Sequence, residues 1–210
     1  MFIKNLNNMP FEKAREVIED FCKKRIKLST KDIELILKLE DKEIINLFLY
    51  DYQLFDQKDF IFLEKFINKN LDNKNKTFVS DLIYVALDFG LDLNFTKILS
   101  FLKTEKEDID LVVLASLEYI HKNVKMIYIK ELIENLEYIR NKKNYYQNEQ
   151  LLASLILYRI TYKSHYLSFI KELIFLDNSN LKYFENTLKT EMYNEKYFNL
   201  TEIHKMFREP

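Results

Sequence analysis

Three histidines, one cysteine and many carboxylates are the groups with which this chain could do chemistry. A zinc site needs ligands at close, regular spacing, but His121, His165 and His204 lie far apart, with no His-x-x-x-His or Cys-x-x-Cys pattern. Cys22 follows Phe21 on an apolar stripe, where a thiol packs as a small hydrophobe; a nucleophile would need a basic partner to lower its pKa. The run Lys23-Lys24-Arg25 with Lys27 could touch phosphates, and it equally suits a helix end, where bases complement the dipole. No pair of carboxylates stands out as general acid and base. These groups predict no catalytic residue, no cofactor and no metal.

The charges are unevenly placed. Residues 39–118 hold 16 acids against 9 bases, a balance of −7, whereas residues 119–176 hold 9 bases against 5 acids, a balance of +4. Such a field can steer a partner. The acids concentrate in Asp81, Asp88, Asp92, Glu105, Glu107, Asp108 and Asp110. Asp81 and Asp88 are seven apart, hence on one helix face, and the others fall in turns. This set could meet a basic protein partner such as a nuclease, although Asp108 and Asp110 also suit a helix start. The bases interleave with aromatics, and Lys142, Lys143, Tyr145, Tyr146, Arg159 and Lys163 form the candidate basic surface. Tyr and Arg are common at binding hot spots, and aromatics among bases also suit single-stranded nucleic acid. Tyr162 shares a stripe with Leu151, Leu155 and Tyr158 and is expected to pack. Tyr145 and Tyr146 sit in a polar loop with no stripe to bury them, and both are expected to be exposed.

Composition settles what must position these residues. One Gly and two Pro among 210 residues cannot supply an all-β fold, which needs turn residues about every 8–12 positions, nor a phosphate-cradling glycine loop. With 48% apolar residues the chain is too hydrophobic to stay disordered. The longest apolar runs, Leu111–Leu117 and Leu151–Tyr158, fall far short of the roughly 20 residues that span a bilayer, so no membrane partner is expected. The amino terminus lacks a signal-peptide pattern, and a lone cysteine fits a reducing cytoplasm. A net charge of −1 argues against general attraction to nucleic acid or anionic lipid. The Lys/Asn/Ile/Tyr-rich usage hints at an AT-rich genome.

The elements are therefore helices, and they repeat. Leu114-Ala115-Ser116-Leu117 returns 38 positions later as Leu152-Ala153-Ser154-Leu155, and Ile129-Lys130-Glu131-Leu132-Ile133 returns 41 later as Ile170-Lys171-Glu172-Leu173-Ile174. A shift of 35 lays Phe60, Leu63, Phe66 and Ile67 on Phe95, Ile98, Phe101 and Leu102. The spacing predicts four helix pairs, near 41–71, 75–104, 108–141 and 147–177, with 1–40 and 178–210 as terminal caps. Pro10 suits a first turn, Ser29 or Thr30 opens the next helix, and Asp41 another. Gly90 should end a helix in the left-handed conformation, with Asn94 opening its successor and Asp108 the one after. Ser179 or Asn180, and then Asn199 with Glu202, should open two helices in the tail. The expectation is one all-α domain over 1–210, a right-handed α-solenoid without an internal linker.

These stripes and repeated phrases resemble HEAT- and armadillo-like repeat proteins over roughly residues 41–177. The first-helix proline and the Asp/Arg pair common in those repeats do not recur, so the resemblance is that of a divergent member. It implies a non-catalytic protein that presents a ligand surface. The leading expectation is a protein-binding solenoid, an adaptor or an immunity-type inhibitor that neutralises a basic toxin by complementary charge. The alternative is a nucleic-acid-binding protein, of the alkylation-repair glycosylase type that shares HEAT-like repeats. A homo-oligomeric scaffold is a third reading.

Overall fold

The computed structural model describes residues 3–103 and 111–189. Among these the chain is helical, with no strand, and it divides into two compact units, Met1–Asn94 and Phe95–Pro210. The expected segments 41–71 and 147–177 each hold two helices, and the segment 75–104 contains the division between the units.

In the first unit a 3-10 turn, Ile3–Asn8, precedes α1 (Phe11–Lys23), α2 (Thr30–Leu37), α3 (Lys42–Asp51), α4 (Gln57–Asn70) and α5 (Lys76–Phe89). Side chains supply the acceptors that helix starts lack. Ser29, and not Thr30, caps α2 in a reciprocal pair with Asp32. Asp41 accepts from the Glu43 and Ile44 amides at 2.9 and 3.3 Å, Asp56 pairs with Asp59, and Asn75 accepts from Phe78 at 3.0 Å. Pro10 stands one position outside its expected place, as the residue before the first turn of α1. Gly90 does take the left-handed conformation, at φ +64°, and the Leu91 amide folds back onto the Ala86 carbonyl at 2.8 Å.

The apolar stripes then converge. Ile18, Ile33, Ile36, Ile45, Phe48, Leu63, Ile67, Leu82 and Ile83 lose all exposure, each contributing roughly 1.5–3 kcal/mol of transfer free energy. α3 packs on α1 and α5, while α2 and α5 both pack on α4. Cys22 is only half-buried, because it lies at the margin of the α1 stripe near the helix end; burial still raises its thiol pKa. Polar side chains fix the loops. Tyr52 accepts from the Leu28 amide at 2.7 Å, and the buried Asp59 accepts from Thr30 at 2.8 Å. Asn68 donates to the Asp92 carbonyl and accepts from the Asn94 amide, and Glu64 accepts from the Asp92 amide.

The second unit contains α6 (Phe95–Ser100), α7 (Leu111–Lys122), α8 (Ile129–Asn141), α9 (Gln147–Thr161), α10 (His165–Leu176) and α11 (Asn178–Lys189). Its centre is α9, which packs against α7, α8, α10 and α11. Leu151 to Leu157 are all buried in succession, so this helix is apolar all round, as a central helix must be. Tyr162, expected to pack with that stripe, is instead 61% exposed. The helix ends at Thr161, and Tyr162 takes a left-handed φ of 57°, which carries its side chain off the stripe. Asp177, rather than Ser179 or Asn180, supplies the acceptor at the start of α11, taking the Ser179 amide at 2.8 Å. The expected cap at Asp108 and the helix opened by Asn199 lie outside the described residues.

Candidate functional site

A cleft of about 800 Å³ opens in the second unit where the starts of α7, α9 and α11 come together. α7 contributes Leu111 and Leu114, and the residues opening α9 contribute Tyr146, Gln147 and Glu149. The turn into α11 adds Asp177, Asn180 and Tyr183. The lip is apolar and open: Leu111 is 62% exposed and Tyr146 63%.

The polar side chains of the cleft are held in place by hydrogen bonds. Glu149 is buried, and its carboxylate reaches back to accept from the Tyr146 amide at 2.9 Å. This is the reciprocal half of a capping box, and it fixes the carboxyl against the first turn of α9. Burial pushes the Glu149 carboxyl up to about 7, the amide hydrogen bond only partly offsetting it. Asp177 moves the other way: the hydrogen bond from the Ser179 amide lowers its pKa and keeps it ionised. Asn180, also buried, donates to Gln147 at 2.7 Å and to the Leu173 carbonyl at 2.8 Å, locking α11 to α9 and α10. Tyr183 donates to Glu118 at 3.4 Å, and burial raises the Glu118 pKa. The cleft thus offers one ionised carboxylate, one carboxyl that titrates near neutrality and an apolar lip. That set suits a cation carried on an apolar stem, as in a lysine or arginine side chain.

The residues singled out from sequence have other surroundings. Asp81 is half-buried and accepts from Asn46 and from Tyr50, tying α5 to α3; burial raises its pKa. Asp88 is exposed one face-repeat further along α5. Asp92 is exposed, while its backbone is bound by Glu64 and Asn68. Glu105, Glu107 and Asp108 lie outside the described residues. In the basic set, Lys142, Lys143 and Lys163 are exposed, and the Lys142 ammonium lies 5.2 Å over the Tyr138 ring.

The expectation that Tyr145 is exposed is wrong. The ring is 4% exposed, its hydroxyl donates to the Leu102 carbonyl at 2.9 Å, and its edge meets Tyr138. The loop is polar, but it turns one tyrosine inward to satisfy a carbonyl at the end of α6. Tyr146 is exposed as expected. Arg159 is half-buried and donates to the His121 carbonyl, joining α9 to α7. Arg140, between the Tyr166 and Phe169 rings at 5.6 and 5.4 Å, pairs with Glu137 at 2.8 Å and joins α8 to α10.

Glu149 and Tyr183 were not singled out from sequence, and Asn180 only as a candidate helix cap. The one available signal was the three-residue spacing from Tyr146 to Glu149, a capping pattern that lacks its usual Ser or Thr. Among the described residues no group of three His, Cys, Asp or Glu side chains could hold a metal ion. No helix there is long and apolar enough to cross a membrane. No protein-family model matches the chain, and no curated protein or solved structure matches it either.

Proposed function

We propose that the chain is a non-catalytic protein-binding module, an inhibitor or adaptor, whose second unit receives a basic side chain of its partner in the cleft between α7, α9 and α11. The observation that carries this reading is the pair Leu111 and Tyr146, both more than 60% exposed at the lip of a cleft containing Glu149 and Asp177. Exposed large apolar residues beside a concavity are typical of contact surfaces, and aromatic anchors carry much of the energy at interfaces. The second unit holds most such residues among those described: Met126, Ile127, Tyr162, Phe175 and Leu176 are also more than 60% exposed. Alternate helices pack on one another within each unit, α1 on α3 and α3 on α5, then α7 on α9 and α9 on α11. That stacking supports a solenoid-like reading of HEAT type, which presents surfaces rather than reactive groups. A partner with basic residues, such as a toxin or nuclease, fits the carboxylates Glu149 and Asp177 of the cleft.

A photo-crosslinking amino acid at position 146 should capture a specific partner from cells of the source organism. The same probe at exposed Lys23 should not capture it. Leu111→Asp in the same chain should reduce capture at least tenfold, and capture should strengthen between pH 6 and 8 as Glu149 ionises. Equal capture from both positions, unaffected by Leu111→Asp, would refute the reading. The nucleic-acid alternative is weakened by the burial of Tyr145, which removes half of the aromatic pair beside Lys142 and Lys143.

A further inference from the structure

We propose that a groove in the first unit, between the end of α2, the start of α3 and the last two turns of α4, binds a phosphate monoester carried on an unbranched apolar chain. The groove encloses about 360 Å³, at the small end of ligand pockets. Its floor is apolar: Leu37 and Leu39 are buried, and Phe62 and Phe66 are half-buried. Four lysines surround that floor, Lys38 and Lys42 from one side and Lys65 and Lys69 from the other, and no carboxylate lines it.

Two lysines on α4 repel one another along the groove. Lys65 and Lys69 are four apart on one helix face, a spacing at which like charges destabilise a helix by a few tenths of a kcal/mol, about 0.2–0.5. Among the described residues neither forms an ion pair. On α1 three pairs at this spacing carry opposite charge, Arg15 and Lys23 on Glu19 and Lys24 on Asp20. Lys38 meets Glu34 only at 3.7 Å on the exposed side, and Lys42 lies 5.4 Å over the Phe78 ring. An anion in the groove would relieve the repulsion.

The shape and charge select the occupant. An apolar floor of two leucines and two phenylalanines calls for a hydrocarbon stem, and four lining lysines call for more than one negative charge. A phosphate monoester carries about −1.5 to −2 near pH 7, a carboxylate only one. The cations come from two sides of a small groove, which suits a compact head group; a nucleic-acid backbone needs cations strung along a surface.

Monododecyl phosphate, below its micellar concentration, should bind the full chain with a one-to-one isotherm by titration calorimetry. Amide shifts should be confined to residues 37–42 and 62–70. Laurate should bind at least threefold more weakly, and dodecyltrimethylammonium should not bind. Lys65→Glu with Lys69→Glu should weaken the phosphate ester at least tenfold, and Lys65→Gln with Lys69→Gln by an intermediate factor. Both pairs are exposed, so their circular dichroism should match the parent. Raising the salt from 20 to 200 mM should also weaken binding. The proposal is overturned if laurate binds as tightly, if neutral dodecyl maltoside does, or if charge reversal has no effect. It is equally overturned if only anionic vesicles, and not the monomer, are bound through these lysines.

Discussion

Glu149 shows how one buried side chain makes stability depend on pH. A carboxyl of its type ordinarily ionises near 4.5, and burial moves this one up to about 7. Between those values the folded protein keeps a proton that the unfolded chain has released, so stability falls as the pH rises and stays lowered above 7. Glu149→Gln keeps an oxygen that can accept from the Tyr146 amide and removes the ionisation. The variant should therefore exceed the parent in urea-melt stability at pH 8, by about 1–2 kcal/mol, and match it near pH 5. A gain of equal size at both pH values would show that the titration is not its cause. His121 acts in the opposite sense: burial holds its imidazole neutral down to about 3, so it costs stability as the pH falls below the usual 6.5. Comparing variant with parent at each pH removes that shared slope.

At the scale of elements, much of the helix plan was legible because caps and stripes are local. Ser29, Asp41 and Gly90 announced helix ends by chemistry that needs no tertiary contact. Gly90→Ala meets no atom within 4 Å of the added carbon, so only its left-handed φ opposes the change. That substitution should lower stability by roughly 1–2 kcal/mol without altering the fold; a thermal melt reads it, and an unchanged midpoint would deny the strain. Tyr145 and Tyr162 were misread for the complementary reason. Where a chain leaves the helical path, the periodicity that assigns faces no longer applies, and a single backbone angle or a distant carbonyl decides the outcome. The cleft was less visible still, since Leu111, Glu149 and Tyr183 come from three helices whose approach no local pattern encodes.

At the scale of the molecule, the charge imbalance along the chain was a weak guide to the surface. Asp81, counted among the acidic surface, is spent on an internal tie between α3 and α5. The amphiphile groove collects lysines that sequence separates by up to 31 positions, and Lys42, Lys65 and Lys69 fall within the part counted as acidic. Each unit assembles its own core, so residues 1–94 produced alone should keep helical circular dichroism and melt cooperatively. A broad, non-cooperative melt of that fragment would show that its core is not self-sufficient. The clasp made by Glu64 and Asn68 has a practical side. Because the amides of Asp92 and Asn94 are both taken up by α4, and Leu93 is buried between them, the last stretch of the first unit is no slack tether. A protease would find little to grip there, and an engineer wishing to splice in a tag should choose another address.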